Sequence, residues 1–338
     1  MKEYIFYVDK INEKFPGISK IIDNIIPVFK TIKVVNSLEG ITENNKEIVP
    51  VGTVAAYFYL KKYSEGGVAF IIDAYSLGYL SISKFYFRRG NILNKYFIGA
   101  ALRYVKYYFI EKRIIKRFDK IIVVSEHDAD YLRKNFKTNK VAVVANGVDP
   151  VDQTKSQSKD FDFTFGILSY WGAGSLKDVN WFIEDYMPKL RLRYPNIKLV
   201  TAGRAADDTT LRYFKEHGVD HMGEVEDLWQ FFNRIDIYIT TLRKECGILN
   251  KVLDAMMHKK IVVGLEHNMY AFKNLKNGFY TYKNIDELYE VIDEIIAEPY
   301  QKEKIENAHS YLLENHDWVK NYSRLKEMID DYIKVNQN

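Results

Sequence analysis

The chain has 338 residues, of which 47% are hydrophobic, a length that suits two domains of ordinary size better than one core. The 49 Lys and Arg residues barely exceed the 45 Asp and Glu residues, and so weak an excess does not indicate nucleic-acid binding. Cys246 is the only cysteine, which excludes an intrachain disulfide and fits a reducing compartment. The N-terminus lacks the features of a signal peptide, and no uncharged apolar run reaches the roughly 18 residues of a membrane span. We therefore expect a soluble, cytoplasmic protein.

In the first half of the chain, short apolar runs alternate with longer periodic segments, a pattern typical of strand–helix units with parallel sheets. Strands are predicted at 4–9, 31–37, 68–73, 120–125 and 140–146. A loop containing Phe15-Pro16-Gly17 precedes a helix that is predicted to start near Ser19, and a long helix is predicted over 94–117. The polar stretch 151–160 predicts a linker, and we place the linker itself at 153–160.

The same alternation restarts after the linker. Strands are predicted at 163–169, 197–203, 236–242 and 260–265, and helices at 178–194, 208–217, 227–235, after about 249 and from 285 onward. The sequence therefore predicts two Rossmann-like α/β domains, 1–152 and 161–317. It also predicts a helix within 318–338 that crosses back to the first domain. In such folds ligands bind at the carboxyl ends of the strands, usually in the crevice between the halves.

The stretch KECGILNKVLDAMMHKK (244–260) places a lysine in the first turn of a predicted helix. A cation is disfavoured there because the helix dipole is positive at its N-terminus. One interpretation is an amphipathic helix with an exposed Lys251–Asp254 pair opposite its apolar face. The other is an anion bound at the helix N-terminus, where Gly247 allows close backbone approach, Lys251 adds charge and Asp254 accepts hydrogen bonds from a diol.

Other motifs also have two interpretations. The turn SYWGAGSLKDVNWF (169–182) contains Gly172, and it is either an ordinary loop or one that exposes N–H groups to a phosphate. Ser125 followed by Asp128 resembles a capping box, which accounts for that serine without a functional role. Asp73, at a predicted strand end, either begins a turn or faces a cleft.

The segment 94–118 combines aromatic residues with many Lys and Arg residues. It either packs its aromatics inward and solvates its charges, or it lies on an anionic membrane surface. No Cys/His cluster has zinc spacing, so the sequence gives no reason to expect a metal.

Three stretches together resemble the GT-B glycosyltransferases of the GT4 type. VSEHDADYLRKNF…VAVVANGVDP (124–150) is similar to the end of the N-terminal domain of that family, and 165–204 to the start of the second domain. HMGEVEDLWQFFNRIDIYITTLRKECGILNKVLDAMMHKKIVVG (221–264) resembles the nucleotide-sugar segment. DAYSLGYL and the stretch near Glu111 look like a bacterial subgroup that builds surface polysaccharides. The resemblance implies two Rossmann-like domains with parallel sheets that face a central cleft.

The resemblance also implies roles for individual residues. Asp254 matches the acid that binds the ribose hydroxyls, where the family usually has Glu, and Lys177 matches the diphosphate-binding lysine. Glu245 is the candidate for the acid that contacts the donor hexose, although Cys246 occupies the family's usual position. The usual diphosphate arginine is absent, with Trp171 and Gly172 in its region and Lys251, Arg204 or Arg243 as candidates to compensate. Further donor-binding candidates are Gly17, the turn Gly223-Glu224-Val225, and the loop residues Gly247, Ile248, Leu249 and Asn250.

The implied activity is transfer of a sugar from a UDP- or GDP-linked donor to a glycan acceptor in polysaccharide or glycoconjugate synthesis. The resemblance implies retention of anomeric configuration, no metal and no cofactor besides the donor. If the reaction inverts configuration instead, Asp73 is the expected general base. Lipid-linked acceptors and peripheral contact with the inner face of the cell membrane remain open. So do two other classes of protein: an inactive nucleotide-sugar-binding accessory subunit and a Rossmann dehydrogenase, the latter disfavoured because G-x-G-x-x-G is absent.

Overall fold

The computed structural model of the chain describes residues 4–9, 16–41, 48–88, 90, 94–152, 161–172 and 175–335. The chain divides into two compact units. Unit 1 comprises Met1–Gly147, Lys244–Ile248 and Asn315–Asn338, and unit 2 comprises Val148–Arg243 and Leu249–Glu314. The predicted linker 153–160 lies outside the described residues.

Unit 1 alternates parallel strands with helices. Its strands are β1 (Tyr4–Tyr7), β2 (Ile32–Val35), β3 (Ile48–Pro50), β4 (Gly66–Ile72), β5 (Phe118–Val123) and β6 (Val141–Val143). The helices between them are α1 (Pro16–Phe29), α2 (Thr53–Lys62), α3 (Tyr75–Arg88), α4 (Lys95–Arg117) and α5 (Glu126–Phe136). The strands pair in the orders β2-β1-β3 and β4-β5-β6, and a bridge between Val51 and Phe70 connects β3 to β4.

Unit 2 contains a single parallel sheet among its described residues. Its strands are β7 (Thr164–Leu168), β8 (Lys198–Ala202), β9 (Asp220–His221), β10 (Ile237–Thr240), β11 (Ile261–Leu265) and β12 (Tyr280–Tyr282), in the order β12-β11-β10-β7-β8-β9. Its helices are α6 (Met187–Arg193), α7 (Asp208–Glu216), α8 (Leu228–Arg234), α9 (Asn250–Met257), α10 (Ile285–Ala297) and α11 (Lys302–Asn315). The strand order reverses between β7 and β10, so that point on the carboxyl edge is where ligands of such sheets bind.

The central strands of unit 1 are buried on both faces, which explains their continuous apolar sequence. Val68 and Phe70 of β4 pack with α1 and with α12 (Trp318–Val335), whereas Ala69 and Ile71 pack on the opposite face with α2 and α5. Side chains of a strand alternate between its faces, so every residue of such a strand has to be apolar.

Two helices differ from the prediction, one in its start and one in its continuity. The helix α1 begins at Pro16, so Gly17 lies in its first turn and not in a loop. Proline is favoured at that position because the first helical N–H has no partner in any case. The predicted helix 178–194 is interrupted by a wide turn over Phe182–Tyr186 before α6 begins. Pro188 lacks an N–H, and its ring would clash with a carbonyl four residues earlier in a regular helix.

Among the described residues, no helix combines the length and the apolar character that crossing a membrane requires.

Candidate functional site

The loops at the carboxyl edge of the unit 2 sheet are joined by backbone hydrogen bonds. The N–H of Trp171, after β7, donates to the carbonyl of Arg204, after β8, at 2.8 Å. The N–H of Gly203 donates to the carbonyl of Gly223, after β9, at 2.7 Å. A Cβ on Gly203 would lie 1.7 Å from the Ser169 carbonyl oxygen, so only glycine fits there. These loops form a connected rim at the edge where the sheet's ligand is expected.

The loop after β10 joins the same rim. The Arg243 side chain pairs with Asp178 at 3.1 Å, and the Trp181 indole N–H donates to the Thr241 carbonyl at 3.0 Å. Asp178 ends the short 3₁₀ turn Ser175–Asp178, which carries the exposed Lys177. The predicted diphosphate lysine therefore lies beside the switch point between β7 and β10. Gly174 of the predicted glycine turn lies outside the described residues.

The cations predicted to replace the missing arginine have different surroundings. Arg243 is buried and its charge is balanced by Asp178. Arg204 is exposed and lies with its guanidinium carbon 5.8 Å from the centre of the Tyr170 ring. Trp171, in the region of the family arginine, is buried and donates its indole N–H to the Ala202 carbonyl at 3.0 Å. Arg204 is thus the arginine of this rim that is accessible to an incoming anion.

The predicted base-contacting turn follows β9. Gly223 has a φ of +74° and its Cβ position is open, so the backbone conformation, not crowding, favours glycine there. Glu224 is exposed and Val225 is half-buried.

Asp254 lies one turn into α9 and is buried, with 9% of its surface exposed. Every residue from Val252 to Met257 is buried, so the interpretation of an amphipathic helix with an exposed Lys251–Asp254 pair is wrong. Tyr238 of β10 has a raised pKa because of its burial and of the nearby Asp254 charge. A buried carboxylate is costly unless hydrogen-bond donors surround it, so Asp254 is not one half of an exposed surface pair.

The helix α9 has no side-chain cap at its start. Leu249 occupies the cap position, Asn250 is the first helical residue, and both are half-buried like Lys251. The segment before it, Lys244–Ile248, belongs to unit 1, where Ile248 packs against the core.

Contacts within unit 1 fix this segment residue by residue. The N–H of Glu245 donates to Ser81 Oγ at 3.0 Å, and the Glu245 carboxylate lies 3.4 Å from His127 Nε2. Cys246 is buried in the core of unit 1, and burial raises the pKa of its thiol. Cys246, at the position where the family has its acid, therefore lies in the core, and the neighbouring carboxylate is that of Glu245.

Asp73 directly follows β4, as the sequence predicts. Its carboxylate lies 3.6 Å from Lys244 Nζ. Gly247 has a φ of +75°, and a Cβ on it would lie 2.2 Å from Asp73 Oδ1. Both predicted catalytic acids, Asp73 and Glu245, thus lie in unit 1, and Gly247 packs directly against the Asp73 carboxylate.

Asp128 is a fully buried acid whose contacts go beyond the helix cap that the sequence indicates. The Ser125 hydroxyl accepts from the Asp128 N–H at 3.0 Å, so the predicted cap is confirmed. The Asp128 carboxylate also accepts the N–H groups of Ala74 and Gly247, each at 2.8 Å, and the Ser125 hydroxyl. Burial and the neighbouring Asp73 raise the pKa of this carboxyl. Asp128 therefore holds Gly247 in place, a role that the S-x-x-D pattern cannot reveal.

Glu111 is a second buried acid of unit 1. Its carboxylate accepts from the N–H of Ser76 at 3.0 Å and from the Ser76 hydroxyl, which also contacts the Tyr131 hydroxyl at 2.9 Å. Burial raises the pKa of Glu111 from 4.5 to about 7.

We expect Glu111→Gln to remove a pH dependence of stability. A raised pKa means that the folded state binds the proton more tightly, so its stabilising contribution is complete below about 4.5 and is lost as pH rises to about 7. Glutamine keeps an acceptor for Ser76 and does not titrate. Denaturant melts at pH 5 and pH 7 should therefore differ more for the wild type than for the variant, and equal differences would contradict the raised pKa.

Solved structures of similar fold are glycosyltransferases. HepE of Anabaena in complex with UDP and glucose superposes with a TM-score of 0.62 at 15% identity, covering 97% of this chain and 100% of that one. TarM from S. aureus superposes at 0.61 and 14% identity, covering 86% of this chain and 56% of TarM. A glycosyltransferase from Rickettsia africae gives 0.62 at 14% identity and covers 99% and 100%. The chain thus spans little more than half the length of TarM. The chain therefore has the GT-B fold, as these glycosyltransferases do.

Two family models match the sequence itself. Residues 55–152 match Glycosyltransferase Family 4, and residues 165–298 match Glycosyl transferases group 1. The chain therefore belongs to the GT4-type glycosyltransferases with the GT-B fold. This membership removes the dehydrogenase alternative. A search of curated proteins finds no significant match.

Proposed function

We propose that the protein transfers a hexose from a nucleoside diphosphate sugar to a glycan acceptor, with the donor nucleotide held at the carboxyl edge of the unit 2 sheet. The observation that carries the proposal is the rim of hydrogen-bonded loops after β7, β8, β9 and β10, which gathers Lys177, Arg204 and the Gly223 turn. In this proposal Asp254 binds the ribose hydroxyls, and Lys177 and Arg204 bind the diphosphate.

The leaving diphosphate gains negative charge as the bond to the sugar breaks. Cations and fixed N–H dipoles near that group stabilise the transition state more than the ground state. Lys177 and Arg204 supply this charge in our proposal, with Lys251 near the start of α9. The transfer retains configuration and uses no metal, and the leaving phosphate oxygen accepts the acceptor's proton.

Glu245 and Asp73 are the proposed catalytic acids. Glu245 contacts the donor hexose, and its pairing with His127 at 3.4 Å restricts the orientation of its carboxylate. Asp73 becomes the general base if the product is inverted. NMR of the product anomeric proton separates the two mechanisms, and inversion would overturn retention.

The donor and acceptor are proposed from the comparisons. HepE binds UDP and glucose, which makes UDP-sugars the first donors to test. The acceptor is a glycan of bacterial polysaccharide or glycoconjugate synthesis, with a lipid-linked form among those to be tried. The protein acts in the cytoplasm.

The test is release of nucleotide from UDP-, GDP- and dTDP-sugars by the purified protein with a panel of glycan acceptors. We expect release with one nucleotide class, accompanied by a rise in Tm with the free nucleotide. The alternative is an inactive accessory subunit that binds nucleotide sugars, motivated by the buried Trp171 in the arginine region. A rise in Tm without turnover across the acceptor panel would support that alternative and overturn transfer.

Arg204→Ala should lower kcat/KM for the donor about tenfold, because one charge-assisted hydrogen bond to the diphosphate is lost. Arg212→Ala is the matched control, since Arg212 is also exposed but lies in the middle of α7 and not in a loop of the rim. Steady-state kinetics with varied donor measures both. Equal kinetics for the two variants would show that Arg204 does not replace the missing arginine.

A further inference from the structure

The helix α4 carries a row of exposed large apolar side chains on its outer side. Ile98, Leu102, Val105 and Phe109 are 47%, 67%, 50% and 62% exposed. Their spacing of four, three and four residues places all of them on one side of a helix. Single exposed apolar residues are ordinary, but a contiguous row of them indicates a surface that binds a protein, a ligand or a membrane. We call these four residues the α4 stripe.

The exposed charges on the helices α3 and α4 are of one sign, and Arg117, at the end of α4, pairs with Glu65 at 3.5 Å. Over Tyr75–Arg88 and Lys95–Arg117, the single acidic residue is Glu111, which is fully buried. The exposed charged residues of these two helices are all basic: Lys84, Arg88, Lys95, Arg103, Lys106, Lys112, Arg113, Lys116 and Arg117. The whole chain has a net charge of only +4, so this face concentrates positive charge.

Lysines stand at both ends of the α4 stripe. Lys95 lies three residues before Ile98, and Lys116 lies seven residues after Phe109, so both continue the same side of the helix. A membrane surface has apolar acyl chains covered by headgroups, which are negatively charged in anionic lipids. An apolar row flanked by lysines is complementary to such a surface.

We propose that the α4 stripe and its flanking lysines dock the protein on an anionic lipid surface. A second copy of the chain is a poorer occupant, because a symmetric dimer through this face would place like charges against each other. The apolar side chains enter the headgroup boundary and the lysines contact the lipid phosphates. The proposal is independent of sugar transfer, because binding needs no donor.

The test is co-sedimentation of the full chain with vesicles of phosphatidylglycerol and phosphatidylcholine, compared with phosphatidylcholine alone. We expect binding to the anionic vesicles that falls as salt rises to about 0.5 M, since exposed charges are then screened. Leu102→Ser/Phe109→Ser should weaken binding at least about tenfold. Lys95→Gln/Lys116→Gln should weaken it roughly 25-fold, from about fivefold per charge.

Matched controls use exposed residues elsewhere. Leu192→Ser replaces a leucine that is 87% exposed on α6, and Lys215→Gln/Lys302→Gln removes two exposed charges of unit 2. These variants should bind vesicles like the wild type. Equal binding to both vesicle types, or a stripe variant that binds like the Leu192 control, overturns the proposal. A stripe variant that changes the sedimentation coefficient of the lipid-free protein assigns the face to a second copy instead, and so also overturns it.

Discussion

Asp254→Ala is expected to lower kcat/KM for the nucleotide-sugar donor about 100-fold. In our account the carboxylate accepts hydrogen bonds from two ribose hydroxyls, each contributing about 1.5 kcal/mol, and 1.4 kcal/mol corresponds to a factor of ten. The loss should appear equally in the affinity for the free nucleotide, because the ribose is bound in the same way before and during reaction. Steady-state kinetics and nucleotide titration measure the two quantities.

Two further variants sharpen this result. Asp208→Ala removes an exposed carboxylate from the first turn of α7 and should leave donor binding unchanged. Asp254→Glu restores the residue that the family usually has and should keep much of the activity. If Asp254→Ala binds nucleotide as tightly as Asp208→Ala does, the ribose assignment is wrong.

Asp128→Ala is expected to lower the free energy of unfolding by roughly 3 kcal/mol. It leaves the N–H groups of Ala74 and Gly247 and the Ser125 hydroxyl without their acceptor, and each such loss costs about 1–3 kcal/mol. Removing a buried charge whose pKa is raised offsets part of that cost. Denaturant unfolding gives the change in stability, and hydrogen exchange should show faster exchange of the Gly247 amide.

Asp130→Ala is the control for that variant, because Asp130 lies on the same helix with its side chain 54% exposed. A surface substitution of this kind usually changes stability by less than about 0.5 kcal/mol. If the two variants are equally stable, or if the Gly247 amide exchanges at the wild-type rate, Asp128 does not hold that glycine.

The sequence predicted the main strands because their residues are buried on both faces. A run such as Val68–Ile71 has no polar position, and only a strand inside a parallel sheet requires that. Other elements were not predicted, among them the three-residue strands β3 and β12 and the helix α2, whose sequence has no clear helical periodicity. The interruption at Phe182–Tyr186 was missed because the periodicity continues through it and only Pro188 marks the change.

The candidate site was predictable where local geometry determines a residue's position. Asp73 follows a predicted strand, so its place at a carboxyl edge follows from the strand assignment. Gly223 follows β9, which was not predicted, and only the family resemblance pointed to it. The contacts of Asp128 with Gly247, and of Glu245 with Ser81 and His127, join residues far apart in the chain. No periodicity or spacing encodes such pairs, so a single sequence does not show why Lys244–Ile248 packs with unit 1.

The most direct measurement of the central claim is a crystal structure of the protein with the nucleotide that the donor screen selects. We predict that the ribose hydroxyls lie within hydrogen-bond distance of Asp254 and that the diphosphate lies beside Lys177 and Arg204. A nucleotide bound elsewhere would contradict the account, for example in the cleft of about 480 Å³ that Val8, Ile22 and Asn36 help to line in unit 1.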